Sequence, residues 1–306
     1  MWYPSAMDFT TDQIGDQTGR LVLITGANSG LGLETAKALS AHGADVILAC
    51  RGREKAEAAM GEIRSAGGTG ALYFEALDLS DLASVAACAA RVVAKYPRLD
   101  VLVNNAGVMV PPRSKTKDGF EMQLGTNHFG HFALTAGLFP LLAKTPGARV
   151  VTVSSIMHRL GKMRFDDLGF ERGLFINWLA YGQSKLANLL FSFELGRRLE
   201  RAGSGVLSLG AHPGYAATNL QAHDLMSSAL NPVAAQSAAM GALPSIYAAV
   251  SPDVEQGGYY GPRSLGGLRG YPTTASATRR ARNEADARRL WEVSERLTGV
   301  PFPVGK

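Results

Sequence analysis

Apolar runs of strand length alternate along the chain with stretches of helical periodicity. Leu21-Val-Leu-Ile-Thr25 reads as a buried strand, and Gly30 to His42 as a helix. The alternation repeats through strand Asp45–Cys50, helix Glu54–Ser65, strand Leu72–Ala76, helix Asp81–Lys95 and strand Asp100–Asn104. A long helix is expected from about Asp118 to Ala143, then strand Arg149–Ser154 and helix Ala180–Arg201. Strand Gly205–Gly210, helix Ala234–Val250 and a short strand Gly258–Gly261 follow. A last helix is punctuated by an Asn283 N-cap, by Glu284 and Asp286 at its positive end, and by Gly299 and Pro301 beyond its close. Strands that are apolar throughout and joined by helices imply a parallel sheet covered on both faces. Right-handed crossovers then make it a doubly wound α/β sheet of about seven strands.

No Pro/Gly/Ser linker divides the chain, so residues 19–306 are expected to form one domain behind an extension at 1–18. Trp2, Tyr3 and Phe9 of that extension are expected to pack as a lid on one sheet edge. Two long irregular stretches, 156–179 and 212–233, follow strands at their carboxyl ends, where open α/β sheets bind ligands. They are the expected substrate loops.

Composition narrows the class. Charged residues are 19% of the chain and glycines number 35, a profile that excludes a disordered polypeptide. The net charge of +5 is modest, and the Arg279–Arg289 stretch is interrupted by Glu284 and Asp286. It reads as a solvated face rather than a nucleic-acid surface. The two cysteines, Cys50 and Cys88, have no metal-ligand spacing and point to a reducing compartment. No basic start precedes an apolar run near the N-terminus, and the longest apolar stretch, 132–143, is shorter than the roughly 20 residues of a membrane span. A cytoplasmic location with no transmembrane segment is the expectation.

The first strand runs into Thr25-Gly26-Ala27-Asn28-Ser29-Gly30-Leu31-Gly32. Glycines here let the backbone approach a pyrophosphate, and the next helix aims its first N–H groups at it, as in a Rossmann fold. An acidic residue after the second strand would take the ribose hydroxyls of NAD. This chain has Cys50-Arg51-Gly52-Arg53 instead. Arg51 can pair with a 2′-phosphate, assisted by Arg53 or Lys55, so NADP(H) is favoured over NAD(H). A helix start is a poor place for unpaired cations, which also argues for a ligand. Asp78, in Leu77-Asp78-Leu79, can accept from an adenine amino group, while Ser80 or Asp81 can cap the next helix. Asn105, Ala106 and Gly107 end the fourth strand with side chains small enough to leave room for the adenosine side of a cofactor.

Tyr181 and Lys185 are spaced i, i+4, which puts both on one helix face. An ammonium beside a phenol favours the phenolate and makes Tyr181 a usable acid or base. Ser154 and Ser155 close the fifth strand, and a Ser hydroxyl beside Tyr181 can bond a substrate carbonyl. Asn127 lies on the long helix and can hold a water near Lys185.

The ordered set TGxxxGxG, NNAG, Asn, Ser and YxxxK resembles the classical short-chain dehydrogenases/reductases, over about Gly19 to Tyr260. Thr25–Gly32, Ala49-Cys-Arg51, Lys117–Glu121, Asn127–His131 and His212-Pro-Gly214 look most like the retinol dehydrogenase and WW-domain-containing oxidoreductase branch. The resemblance implies Asn127, Ser155, Tyr181 and Lys185 as a catalytic tetrad, with Ser155 chosen over Ser154 as the second Ser of the V-S-S pattern. It implies Tyr181 and Lys185 as cofactor contacts too, Pro213 and Gly214 bordering the nicotinamide, and Thr218 at its carboxamide. It also implies a homodimer or homotetramer built partly on the long helices. The expected activity is interconversion of an apolar alcohol and its carbonyl compound by hydride transfer. A reductase of C=C bonds and a non-catalytic NADP(H) sensor are the alternatives.

No metal site is expected: His128 and His131 are i, i+3 but lack a third ligand and read as core histidines. His158 reads as loop surface beside the substrate region. Met157, Met163, Phe165, Phe170, Phe175 and Trp178 either line an apolar pocket or pack the long connection.

Overall fold

The structure, a computed structural model, describes residues 8–215 and 236–304. Among them, strands β1 (Leu21–Thr25), β2 (Asp45–Cys50), β3 (Leu72–Ala76), β4 (Val101–Asn104), β5 (Arg149–Val153), β6 (Leu207–Ala211), β7 (Tyr259–Ser264) and β8 (Arg269–Thr274) form one sheet. The order is β3-β2-β1-β4-β5-β6-β7-β8, parallel except for β8 against β7. Alternate residues of β1 explain the burial of both faces. Leu21 and Leu23 enter the core under α3 (Leu82–Lys95), α5 (Gly130–Lys144) and α6 (Asn177–Arg201). Val22 and Ile24 enter the core under α1 (Gly30–Ala41), α2 (Arg53–Ser65) and α7 (Ala238–Val250). The order reverses between β1 and β4, so the crevice beyond their carboxyl ends is the topological switch point of the sheet.

The fold is the Rossmann-like α/β sheet expected, with eight strands rather than about seven. Arg269-Gly-Tyr-Pro-Thr-Thr274 carries no apolar run, because it is a half-exposed edge strand paired on one side only. Helix α6 starts at Asn177, three residues before the expected Ala180, which places Trp178 on its first turn. The long helix starts later than Asp118. Lys115 bridges to Glu121 across a turn with Gly119 at φ +85°, and Glu121 then caps α4 (Met122–Leu124) by accepting from Gln123 N and Leu124 N. Residues Gly125–Phe129 form a π-helical turn leading into α5, and Asn127 sits within it. The expected start of α7 at Ala234 lies outside the described residues; Ser237 caps the helix.

Helix α8 (Glu284–Thr298), capped by Asn283 and ended by Gly299 at φ +67°, lies against α6. Trp291 and Phe302 pack on Phe132 of α5 and Phe191 of α6, with ring centroids 4.7–6.2 Å apart. The long helices therefore bury this apolar face within the chain. Trp2 and Tyr3 lie outside the described residues; Phe9 packs edge-on against Tyr247 of α7, and Asp8 pairs with Arg263 of β7. Among the described residues, no helix is long and apolar enough to cross a membrane.

Candidate active site

Thr25 ends β1 and locks two strand ends together. Its Oγ1 accepts from Asn105 N and Ala106 N at 2.9 Å, while Asn105 Nδ2 donates to Thr25 O at 2.9 Å. The chain then turns through Gly26 at φ +67°, a conformation that favours glycine. A Cβ on Gly32 would stand 2.5 Å from Gly26 O and 2.6 Å from Asn105 Nδ2. Only glycine lets α1 begin this close to the turn. Ser29 stands at the N-cap with no side-chain cap bond, and it lines the crevice together with Gly30 and Leu31 of the first turn.

A cavity of about 290 Å³ opens there, lined by Gly26, Ser29, Gly30, Leu31, Arg51, Asp78, Leu79, Asn105, Ala106 and Gly107 of the expected set. Asn28 and Gly32 do not line it: Asn28 lies within the turn and Gly32 is buried beneath, where it permits the close approach. Arg51 stands exposed at the rim. Arg53 instead pairs with Glu57 at 3.6 Å and covers the Phe74 ring. Asp78 accepts from Ser80 N and Ser80 Oγ, and Asp81 caps α3. Val108, Met122 and Thr126 also line this cavity and were not singled out in the sequence. No short motif marks them.

A second cavity of about 150 Å³ adjoins the first through Leu31, Asn105, Gly107 and Val108. Ser155, Tyr181, Lys185, Pro213 and Gly214 line it, with Met109, Met157, Trp178 and Tyr215 as the larger walls. Met157 and Trp178 thus face the cavity, whereas Met163 and Phe170 pack in the connection. Thr218 lies outside the described residues, as does most of 212–233.

Ser155 lines the cavity beside Tyr181 and accepts from Met157 N at 3.2 Å. Ser154 Oγ donates to Lys185 O at 2.7 Å, so its hydroxyl serves the junction of β5 and α6. Asn127 Oδ1 accepts from Val108 N at 2.8 Å, and its Nδ2 donates to Val108 O and Ser184 Oγ. The side chain thereby ties the loop after β4 to α6. Lys185 Nζ donates to Val153 O at 3.2 Å, beside Asn188 Nδ2 on the same carbonyl at 3.0 Å.

Burial sets the charges. It lowers Lys185 from 10.5 to about 8 and raises Tyr181 from 10.0 to about 12, the neighbouring Ser155 hydroxyl opposing the rise. The expectation that Lys185 lowers Tyr181 is corrected here. The ammonium lies 5.8 Å from the ring centre and donates to a carbonyl, while the tyrosine is largely buried.

His131 Nε2 bonds Thr25 Oγ1 at 2.9 Å and its Nδ1 bonds Asn127 O at 3.0 Å, joining β1 to the π turn. His128 bonds Ser294 Oγ at 2.8 Å. Both are buried, which lowers them to about 4 and about 3 and keeps them neutral. His158 is not loop surface: it is buried, bonds Ser155 O through Nδ1 at 2.8 Å and packs edge-on against Tyr259. The 3-10 turn after Ser155 folds it inward. Among the described residues, no group of three or more His, Cys, Asp or Glu could hold a metal ion.

Residues 20–227 match the family model described as short chain dehydrogenase. Retinol dehydrogenase 14 of Mus musculus is 43% identical over 301 residues, covering 92% of this chain and 86% of that protein. Retinol dehydrogenase 11 of Homo sapiens is 42% identical over 290 residues, covering 93% and 87%. Among solved structures, an uncharacterized protein of Mycobacterium paratuberculosis aligns with TM-score 0.81 and 43% identity, covering 97% of this chain and all of that one. A short chain dehydrogenase of Shigella flexneri complexed with NADP aligns with TM-score 0.63 and 25% identity, covering 79% and 96%.

Proposed function

The chain belongs to the short-chain dehydrogenase family, and from that premise we propose that it is an NADP(H)-dependent oxidoreductase interconverting an apolar alcohol and its carbonyl compound. One observation carries the reading: Tyr181, Ser155 and Lys185 line one largely apolar cavity continuous with the glycine-lined crevice. The crevice fits a dinucleotide. The close approach at Gly32 and the open first turn of α1 suit a pyrophosphate, and Arg51 at the rim suits a 2′-phosphate. The retinol dehydrogenase relatives and the NADP-complexed neighbour support the substrate class and the cofactor.

The nicotinamide cofactor, when bound, supplies or takes up the hydride. Tyr181, raised to about 12, holds its proton at neutral pH and can deliver it to a forming alkoxide. Ser155, on the same cavity wall as that phenol, orients the carbonyl oxygen. Lys185 keeps a positive charge below about pH 8 and lines the same cavity, where it can hold the cofactor's ribose. Asn127 positions the loop after β4 against α6. Met109, Met157 and Trp178 exclude water and contact the substrate body. A homodimer or homotetramer on α5 and α6 would form with α8 in place, since Trp291 and Phe302 cover those helices. The buried free thiols Cys50 and Cys88 support the cytoplasm as the location.

The test is the decay of NADPH absorbance against apolar aldehydes and ketones, with wild type and Tyr181→Phe compared. Turnover is expected to fall by about 10²–10⁴-fold in the variant while NADPH affinity is kept. Equal turnover in both proteins refutes the proton-donor role. NADPH binding without carbonyl turnover moves the reading to C=C reduction or to a sensor.

A further inference from the structure

The Arg-rich stretch before and within α8 is solvated, as expected, yet two of its side chains border a concavity. Arg280 and Arg289 line a cavity of about 730 Å³ with residues of the 156–179 connection, and it shares no lining residue with the cavity of Tyr181. Lys162, Arg164 and Arg172 complete its cationic lining, five positive side chains against Asp166 and Asp167. Met163, Phe165, Phe170 and Leu179 supply an apolar floor.

The carboxylates do not neutralise it. Asp167 accepts from Glu171 N and Arg172 N and pairs with Arg164 at 3.6 Å. Asp166 pairs with Arg289 at 3.2 Å. Lys162, Arg172 and Arg280 have no carboxylate partner among the described residues; Arg280 donates to the Gly161 carbonyl at 3.0 Å. Three exposed cations thus border one concave, partly apolar space and give it a positive character that favours an anion.

The walls are already ordered. Arg164 lies over the Phe170 ring at 4.7 Å and Arg289 over Phe165 at 4.4 Å, which limits the freedom each guanidinium has to lose. Gln183 of α6 fixes the backbone behind them, accepting from Arg164 N and donating to Leu168 O, both at 2.9 Å. Arginine forks beside aromatic rings suit an oxyanion carried on an apolar body.

We propose that this cavity binds a small organic oxyanion, a phosphate or carboxylate group on an apolar body, at a site separate from the catalytic crevice. The charged group lies toward Lys162, Arg172 and Arg280, and the apolar body rests on Phe165, Phe170 and Leu179.

Phenyl phosphate is the probe, titrated calorimetrically into the full chain at low salt, alone and with saturating adenosine 2′,5′-bisphosphate to fill the NADP-type crevice. One-site binding that persists with the bisphosphate present is expected. Arg172→Ala/Arg280→Ala should weaken it by at least about tenfold, and Lys162→Ala/Arg172→Ala, which leaves the Gly161 contact intact, should also weaken it. Inorganic phosphate, without the apolar body, should bind more weakly than phenyl phosphate. No binding at millimolar probe, displacement by the bisphosphate, or unchanged affinity in both double variants overturns the proposal. The readout does not depend on turnover, so it stands or falls apart from the reductase reading.

Discussion

Replacing Lys185 with methionine is expected to make the protein more stable near neutral pH while removing its turnover. The lysine is buried and its ammonium is disfavoured there, from 10.5 to about 8. At ~1.4 kcal/mol per pH unit, that displacement is worth about 3 kcal/mol against the folded state. Methionine has a similar unbranched stem and carries no charge. It gives up one hydrogen bond, but Val153 O keeps Asn188 Nδ2 at 3.0 Å, so no buried carbonyl is orphaned. Deducting about 1 kcal/mol for the lost bond leaves a gain of about 2 kcal/mol. For a chain of 306 residues this is about 3 °C in Tm. The sign with pH follows from the lowered folded value. Below pH 8 the lysine is protonated in both states and the penalty is full. Between about 8 and 10.5 the folded protein sheds the proton first and the penalty shrinks, so wild type gains stability as pH rises. Urea unfolding of both proteins at pH 7 and pH 10 should therefore show an advantage for Lys185→Met that is largely gone at the higher pH. A variant less stable at pH 7, or one with the same advantage at both pH values, refutes the argument.

Other parts of the molecule respond in measurable ways. Gly32→Ala forces a methyl to 2.5 Å from Gly26 O, and should cost about 1–3 kcal/mol in thermal unfolding and weaken cofactor binding as Asn105 is displaced. Arg51→Asp should raise the Kd for NADPH about tenfold or more and favour NADH, read by fluorescence titration; an unchanged preference removes Arg51 from cofactor selection. Trp291→Ala removes the ring that joins Phe132, Phe191 and Phe302, and should lower stability by about 3 kcal/mol in chemical unfolding. Light scattering of that variant should reveal association if the uncovered helix face is the sticky one.

What could be read early follows from which signals are local. Continuous apolar strands, helical periodicity and end punctuation are properties of neighbours in sequence, so the doubly wound sheet and the α8 boundaries were legible. The edge strand β8 was not, because one-sided pairing leaves no apolar run. Glycines of the cradle were visible as a motif. That Gly32 serves by near contact with Gly26 O, without lining the cavity, depends on the approach of two segments. The spacing of Tyr181 and Lys185 put them on one face of α6, yet it did not reveal the sign of the phenol's shift. Spacing measures proximity of charges, whereas burial by β5, α6 and the 156–179 connection decides how much water each group keeps. Likewise the solvated Arg-rich stretch gave no sign of the cavity that Arg280 and Arg289 border, because its counterpart wall lies more than a hundred residues upstream. The sequence by itself determined the elements, their order and the chemical kinds of the candidate groups. Only the tertiary structure decided their protonation, which serine hydroxyl meets the tyrosine, and which cations face a common cavity, since these depend on desolvation and on distances between segments remote in the chain.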